Sequence, residues 1–109
     1  MAGSKRKPVI ISPQAKQDIE SILKYLEDNW YQKIIDDFLQ KLEIFYAIVS
    51  INPRLFGYYS KSRNIRNYAI TKDLIIYYRN RRRVIEIITV FDNRQSPVKL
   101  KKLLRKGST

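Results

Sequence analysis

Residues 64–91 read NIRNYAITKDLIIYYRNRRRVIEIITVF, and this stretch decides the fold. It holds three β-rich runs, Asn64–Thr71, Leu74–Tyr78 and Val84–Phe91, separated by Lys72-Asp73 and by Asn80–Arg83. β-Branched and aromatic residues suit a pleated surface, and connections this short force neighbouring strands to run antiparallel. The three runs therefore form a meander. Residues two apart share a strand face, so Arg66 points with Tyr68, and Ile75 with Tyr77 and Arg79.

Upstream the apolar period changes to that of a helix. Ser12-Pro13 is a helix start: serine caps free N–H groups and proline fits the first helical position. Ala15, Ile19, Ile22, Leu23, Leu26 and Trp30 follow as one stripe. Asp28-Asn29 breaks it, and Ile34, Ile35, Phe38, Leu42, Phe45 and Val49 make a second. Helices joined this closely pair antiparallel. Val9-Ile10-Ile11 is a short strand, residues 51–62 a loop marked by Asn52-Pro53 and Gly57, and Pro97–Lys106 a short basic helix or tail. Residues 1–7 form a flexible basic arm and residues 8–106 a single domain. The expected class is α+β in the order β-α-α-β-β-β: a twisted antiparallel sheet with the helical hairpin on one face and the other face available to a ligand. Ile19, Ile22, Leu26, Phe38, Leu42 and Phe45 should pack on Ile76, Ile85 or Val84, Ile87 or Ile88, and Val90.

Composition narrows the chemistry. The 109 residues contain neither cysteine nor histidine, which removes disulfides, thiolate metal sites and every Ser-His or Cys-His arrangement. No metal or cofactor is expected. No apolar run nears the ~20 residues of a membrane span, and no apolar stretch of signal-peptide length follows the basic start, so a cytoplasmic location is expected. The net charge of +12 is unevenly placed. Residues 13–50 carry four basic and seven acidic side chains, whereas residues 51–109 carry fifteen and three. Such a field attracts a polyanion, either nucleic acid or an acidic protein segment.

The sheet half interleaves Arg66, Arg79, Arg81, Arg82, Arg83 and Arg94 with Tyr68, Tyr77 and Tyr78, and Lys101 and Lys102 follow. Guanidinium groups fork onto phosphates and aromatic faces stack on bases. Taken singly, each residue has a structural reading: tyrosines packing the sheet, Arg79 paired with a carboxylate, Arg81–Arg83 a solvated turn. Taken together they make an anionic partner the better reading. Glu86 and Asp92 would lie some 20 Å apart along a strand, too far for shared acid–base work. An enzyme built from these residues would be a metal-independent endoribonuclease, because RNA brings its own 2′-OH nucleophile.

These pieces resemble the RelE/ParE toxin superfamily from about Val9 to Leu104. The resemblance rests on Ile10-Ile11-Ser12-Pro13 with Ala15 and Asp18-Ile19, on Ile22, Tyr25 and Trp30, and on Asn52-Pro53. It continues in Ile65-Arg66-Asn67-Tyr68, Ile76-Tyr77-Tyr78-Arg79 and Val90-Phe91-Asp92-Asn93-Arg94-Gln95-Ser96-Pro97. It implies a RelE-like fold, a plasmid-stabilisation type of toxin, and an acidic or amphipathic antitoxin that wraps and blocks it in a hetero-oligomer. RelE-like members cleave mRNA on the ribosome and ParE-like members poison DNA gyrase. The RNase arrangement uses basic residues on the first two meander strands, an arginine after the last strand and a late tyrosine. Arg66 and Arg94 match two of these positions, while Tyr68, Ile75 and Leu100 stand where a lysine, an arginine and the tyrosine belong.

The expectation is therefore a ParE-like toxin that acts on gyrase by binding. The alternatives are a RelE-like RNase using Arg66, Arg94, Tyr68 or Arg79, and a non-toxic basic RNA- or ribosome-binding module. Binding to antitoxin or target is expected of Arg66, Tyr68, Tyr77, Arg79, Arg81, Arg82, Arg83, Arg94, Lys101 and Lys102, with antitoxin acids near Arg66, Arg79 and Arg94.

Overall fold

The three β-rich runs after the helices form the meander that their short connections predict. In the computed structural model, which describes residues 6–106, β3 (Ile65–Ala69), β4 (Leu74–Asn80) and β5 (Ile85–Asp92) form the antiparallel meander. They follow β1 (Val9–Ile11), α1 (Pro13–Asn29), α2 (Gln32–Ile51) and β2 (Tyr58–Ser60), and precede α3 (Pro97–Lys106). Strand order is β1-β5-β4-β3-β2.

Two features differ from the sequence reading. The sheet is mixed, because β1 runs parallel to β5 with Val9 opposite Ile85 and Ile11 opposite Ile87. The antiparallel rule for short connections governs the meander, but β1 reaches β5 only after the whole helical hairpin and the rest of the sheet have intervened. The second difference is β2, in the stretch read as loop, which pairs with β3 across an irregular register. The arm read over residues 1–7 lies largely outside the described residues. Lys7 itself is tied down, its backbone N–H donating to the Ser50 carbonyl at 2.9 Å.

Ser12 starts α1 as its type predicts: its hydroxyl accepts from the Ala15 N–H at 3.0 Å and donates to the Ile88 carbonyl at 2.7 Å. One side chain thereby caps the helix and fastens it to β5. The hairpin covers one sheet face. Phe38, Leu42, Phe45 and Val49 are buried with Ile76, Tyr78, Ile85, Ile87 and Val90, and Ile19, Ile22 and Leu26 pack partly buried against them. The register shifts at Tyr77/Tyr78, which face Thr89 and Ile87, so Ile88 is the extra residue of a β-bulge. Ile87 meets the helices and Ile88 faces away, and the bulge turns Val90 back towards the helices, so Ile85, Ile87 and Val90 share the covered face.

That opposite face is not left open. Leu100 and Leu104 of α3 lie on Ile65, Tyr77, Ile88 and Phe91 in a second buried cluster. The leucines recur every four residues, which suits a one-turn repeat, and the lysines between them face outward. Among the described residues, no helix is long and apolar enough to cross a membrane.

Candidate functional site

The four residues considered for RNA cleavage do not converge. Arg66 stands opposite Tyr78 in the sheet, on the helix-covered face, and is buried. Its Nη1 donates to the Phe56 carbonyl at 2.6 Å and the Arg54 carbonyl at 3.3 Å, and its guanidinium lies 3.9 Å from the centre of the Tyr58 ring. Arg66 therefore holds the segment between α2 and β2 against the sheet. Tyr68, on the same face, sets its ring 4.4 Å from Phe56 and 5.6 Å from Phe45.

Arg79, next in sequence to Tyr78, points to the other face and is also buried, its Nε donating to the Arg63 carbonyl at 3.2 Å. Burial, and next the neighbouring Arg81, lower its ordinarily very high pKa. Tyr77 shares that face, under the edge of Tyr59 at 5.1 Å. Arg94 lies beyond the end of β5 and is exposed. It clamps Asp92 with Nε–Oδ1 at 3.0 Å and Nη2–Oδ2 at 2.7 Å. The bonds from Arg94 hold the Asp92 carboxyl below the usual carboxylate range, and the carboxylate in turn raises the guanidinium. Glu86 bonds Arg81 at 2.8 Å, so both late acids have arginine partners.

Distance completes the separation. Arg66 pairs at Tyr78, whereas Asp92 pairs at Leu74, four positions along β4 and hence about 13 Å away. The buried tyrosines are unsuited to moving protons near neutrality. Burial pushes Tyr78 up to about 12, its hydroxyl donating to the Pro53 carbonyl at 3.0 Å, and raises Tyr77 as well.

A groove of about 690 Å³ does gather functional groups, largely ones the sequence did not single out. It runs between α1, α2 and the far end of the β4–β5 hairpin. Its apolar floor includes Ile22, Leu26, Phe38, Leu74 and Val90. Charged side chains of both signs line the groove as well, Asp18, Asp37, Asp73 and Asp92 with Lys41, Arg94 and Lys99. Tyr25 lines it too, and Trp30 and Tyr31 stand exposed at the tip of the hairpin nearby in sequence. Arg94 is the residue of the sequence-derived set that belongs here. The others in the groove come from segments far apart in the chain, and no spacing rule connects them. Asp18 also has a structural task. It accepts the Thr89 hydroxyl and, at 3.1 Å, the Val90 N–H beside the bulge. Arg81, Arg82 and Arg83 occupy the turn at the opposite end of the hairpin, and Lys101 and Lys102 the outer side of α3, all exposed. Among the described residues no three acidic side chains are grouped to hold a metal.

No curated protein matches the chain by sequence. Solved structures of similar shape include the chromosomal ParDE toxin–antitoxin system from P. aeruginosa, with a TM-score of 0.66 at 12% identity over 82% of this chain and 98% of that one. The YoeB dimer from Staphylococcus aureus follows, with a TM-score of 0.57 at 21% identity over 79% and 95%. The YoeB–YefM complex from the same organism gives 0.53 at 18% identity, with the same coverage. These likenesses agree in fold. The family model described as the ParE toxin of the type II toxin–antitoxin system parDE matches residues 9–97, and the chain belongs to that family.

Proposed function

We propose that this toxin arrests growth by binding DNA gyrase rather than by cleaving RNA. The observation that carries the reading is the dispersal of Arg66, Arg79 and Arg94. The first two are buried on opposite sheet faces, and the third is clamped to Asp92 at the far end. Cleavage needs charge stabilisation and proton transfer focused on one scissile phosphate. Buried arginines bonded to backbone carbonyls hold loops in place instead.

Neutralisation fits the groove. An antitoxin segment with an apolar face would cover Ile22, Leu26 and Phe38, and its polar edges would meet charged side chains of both signs. That favours an amphipathic segment of mixed charge over a purely acidic one, with Arg94 as its main arginine contact. Contact with the target is assigned to the exposed lysines of α3, among them Lys101 and Lys102, together with the aromatic tip at Trp30 and Tyr31. Aromatic and basic groups of this kind are the usual anchors of protein interfaces.

The test is induction of the chain with and without its adjacent open reading frame, read by primer extension on translated mRNA and by supercoiling with purified gyrase. Growth arrest with supercoiling loss and no codon-linked mRNA ends is expected. Codon-linked cuts abolished by Arg94→Ala would overturn the proposal in favour of the RNase. Unaffected growth would leave the non-toxic binding module.

A further inference from the structure

At the end of the sheet away from the groove, hydrogen bonds draw three segments together. Asn64 Nδ2 donates to the Asn80 carbonyl at 3.2 Å, joining the β2–β3 turn to the end of β4. Lys7 Nζ donates to Asn80 Oδ1 and to the Arg81 carbonyl, both at 2.6 Å. The result is one pole holding Lys7, Lys61, Arg63, Arg81, Arg82 and Arg83, all exposed except the partly covered Lys7. Of the three acids that follow residue 50, Asp73 and Asp92 line the groove at the other end, which leaves Glu86 here. The lowered pKa of Arg79 beneath this pole has Arg81 and Arg63 among its causes, so the cations are close enough to feel one another.

A surface needed only for solubility mixes its signs; this one sets six cations against one carboxylate, Glu86, which is itself bonded to Arg81. The cations follow the strand order β1-β5-β4-β3, which spans about 14 Å at the usual strand spacing. We infer that this pole binds the phosphodiester backbone of duplex DNA without reading its sequence. The turn residues select that ligand. Residues 61–64 and 80–84 include no aromatic side chain on which the bases of a single strand would stack. Neither turn presents an exposed apolar anchor of the kind an acidic protein segment needs for tight binding. Arginine and lysine side chains on turns are what contact to phosphates requires.

The surface is separate from the groove. Asn80 pairs with Ile85 at one end of the β4–β5 ladder and Leu74 with Asp92 at the other, six positions apart, about 20 Å. Filling the groove therefore leaves the pole open.

The test uses the purified full chain and a labelled 20-base-pair duplex of arbitrary sequence, followed by fluorescence anisotropy from about 50 to 200 mM salt. Each phosphate neutralised adds about 0.9 to the slope of log affinity against log salt. R81A/R82A/R83A should lower that slope by about two to three, while K99A/K101A/K102A on α3 leaves it unchanged. Thermal melts check that the variants are folded. Should the turn variant melt early, Arg82→Gln alone, lowering the slope by about one, carries the test. An unchanged slope in the turn variants, or a slope lost only in the α3 variant, overturns the inference. So does tighter binding of a single-stranded RNA of equal length, or equal competition by polyglutamate. The assay contains no gyrase, so its outcome is independent of the supercoiling result.

Discussion

Arg66 and Arg94 occupy equivalent roles in the sequence reading and opposite roles in the molecule, and two substitutions separate them. Arg66→Ala removes two bonds to backbone carbonyls and the cover over Tyr58. Hydrogen bonds from a charged donor contribute about 1.5–3 kcal/mol each, but Arg66 also buries an Nε that finds no acceptor among the described residues. The net loss should be about 2 kcal/mol, read as a lower melting temperature. Arg94→Ala breaks an exposed pair and should leave the melt nearly unchanged. The reverse order would show that Arg66 is not a tether. Tyr78 gives a pH test. Its folded pKa, about 12, lies above the ordinary tyrosine value near 10, so the folded state holds the proton more tightly than the unfolded chain. Stability from this group is fully present below about pH 10 and is lost as pH rises towards about 12. Alkaline melts should fall across that window and fall less in Tyr78→Phe. A melt that is flat to pH 12 would contradict the burial of the hydroxyl.

Asp18 joins α1 to the bulge in β5, and the bulge explains why an acid sits on a helix face that packs against a sheet. The Thr89 side chain is fully buried, so its hydroxyl needs a partner inside the fold. Asp18→Ala leaves that hydroxyl and the Val90 N–H without their acceptor, at about 2–3 kcal/mol, and Asp18→Asn should recover part of it. Urea melts of the two variants measure both; equal midpoints for wild type and Asp18→Ala would remove the tie. The bulge also marks the limit of what the sequence states. A period of two identifies β4 and β5, but one inserted residue, Ile88, reverses the faces after it, and the run Ile85–Val90 contains no glycine to announce it. β2 is three residues long, too short for alternation to register, and the parallel partner of β1 lies more than seventy residues away. The helices and the meander were legible because local periods and breaks specify them. The site was less so. Alternation says which way Arg66 and Arg79 point, but not that the segment after α2 covers one of them. The groove is built from residues of several distant segments that meet only in the folded chain.

At the scale of the whole molecule, charge works against the fold. The net charge is +12, and the pole at the β4–β5 turn sets six cations against Glu86. Two ion pairs oppose this repulsion among the described residues, Arg81–Glu86 and Arg94–Asp92, and both have exposed arginines. Exposed pairs of this kind contribute little, and salt screens them. Two unit charges about 10 Å apart in water repel by about 0.4 kcal/mol, and several such pairs are compressed into this pole on folding. Salt shortens the reach of that repulsion to about 8 Å at physiological strength. The repulsive sum should therefore outweigh the two attractive pairs, and added salt should stabilise the toxin. Raising sodium chloride from 10 to 200 mM should relieve about 1 kcal/mol, a rise in melting temperature of roughly 4 °C for a domain this size. Because the repulsion is concentrated at one pole, Arg82→Ala should raise the low-salt melt and flatten its salt dependence, whereas Lys24→Ala on α1, a segment with an acidic balance, should do neither. A melt that falls with salt would show that the ion pairs dominate, and equal behaviour of the two variants would show that the repulsion is spread over the surface.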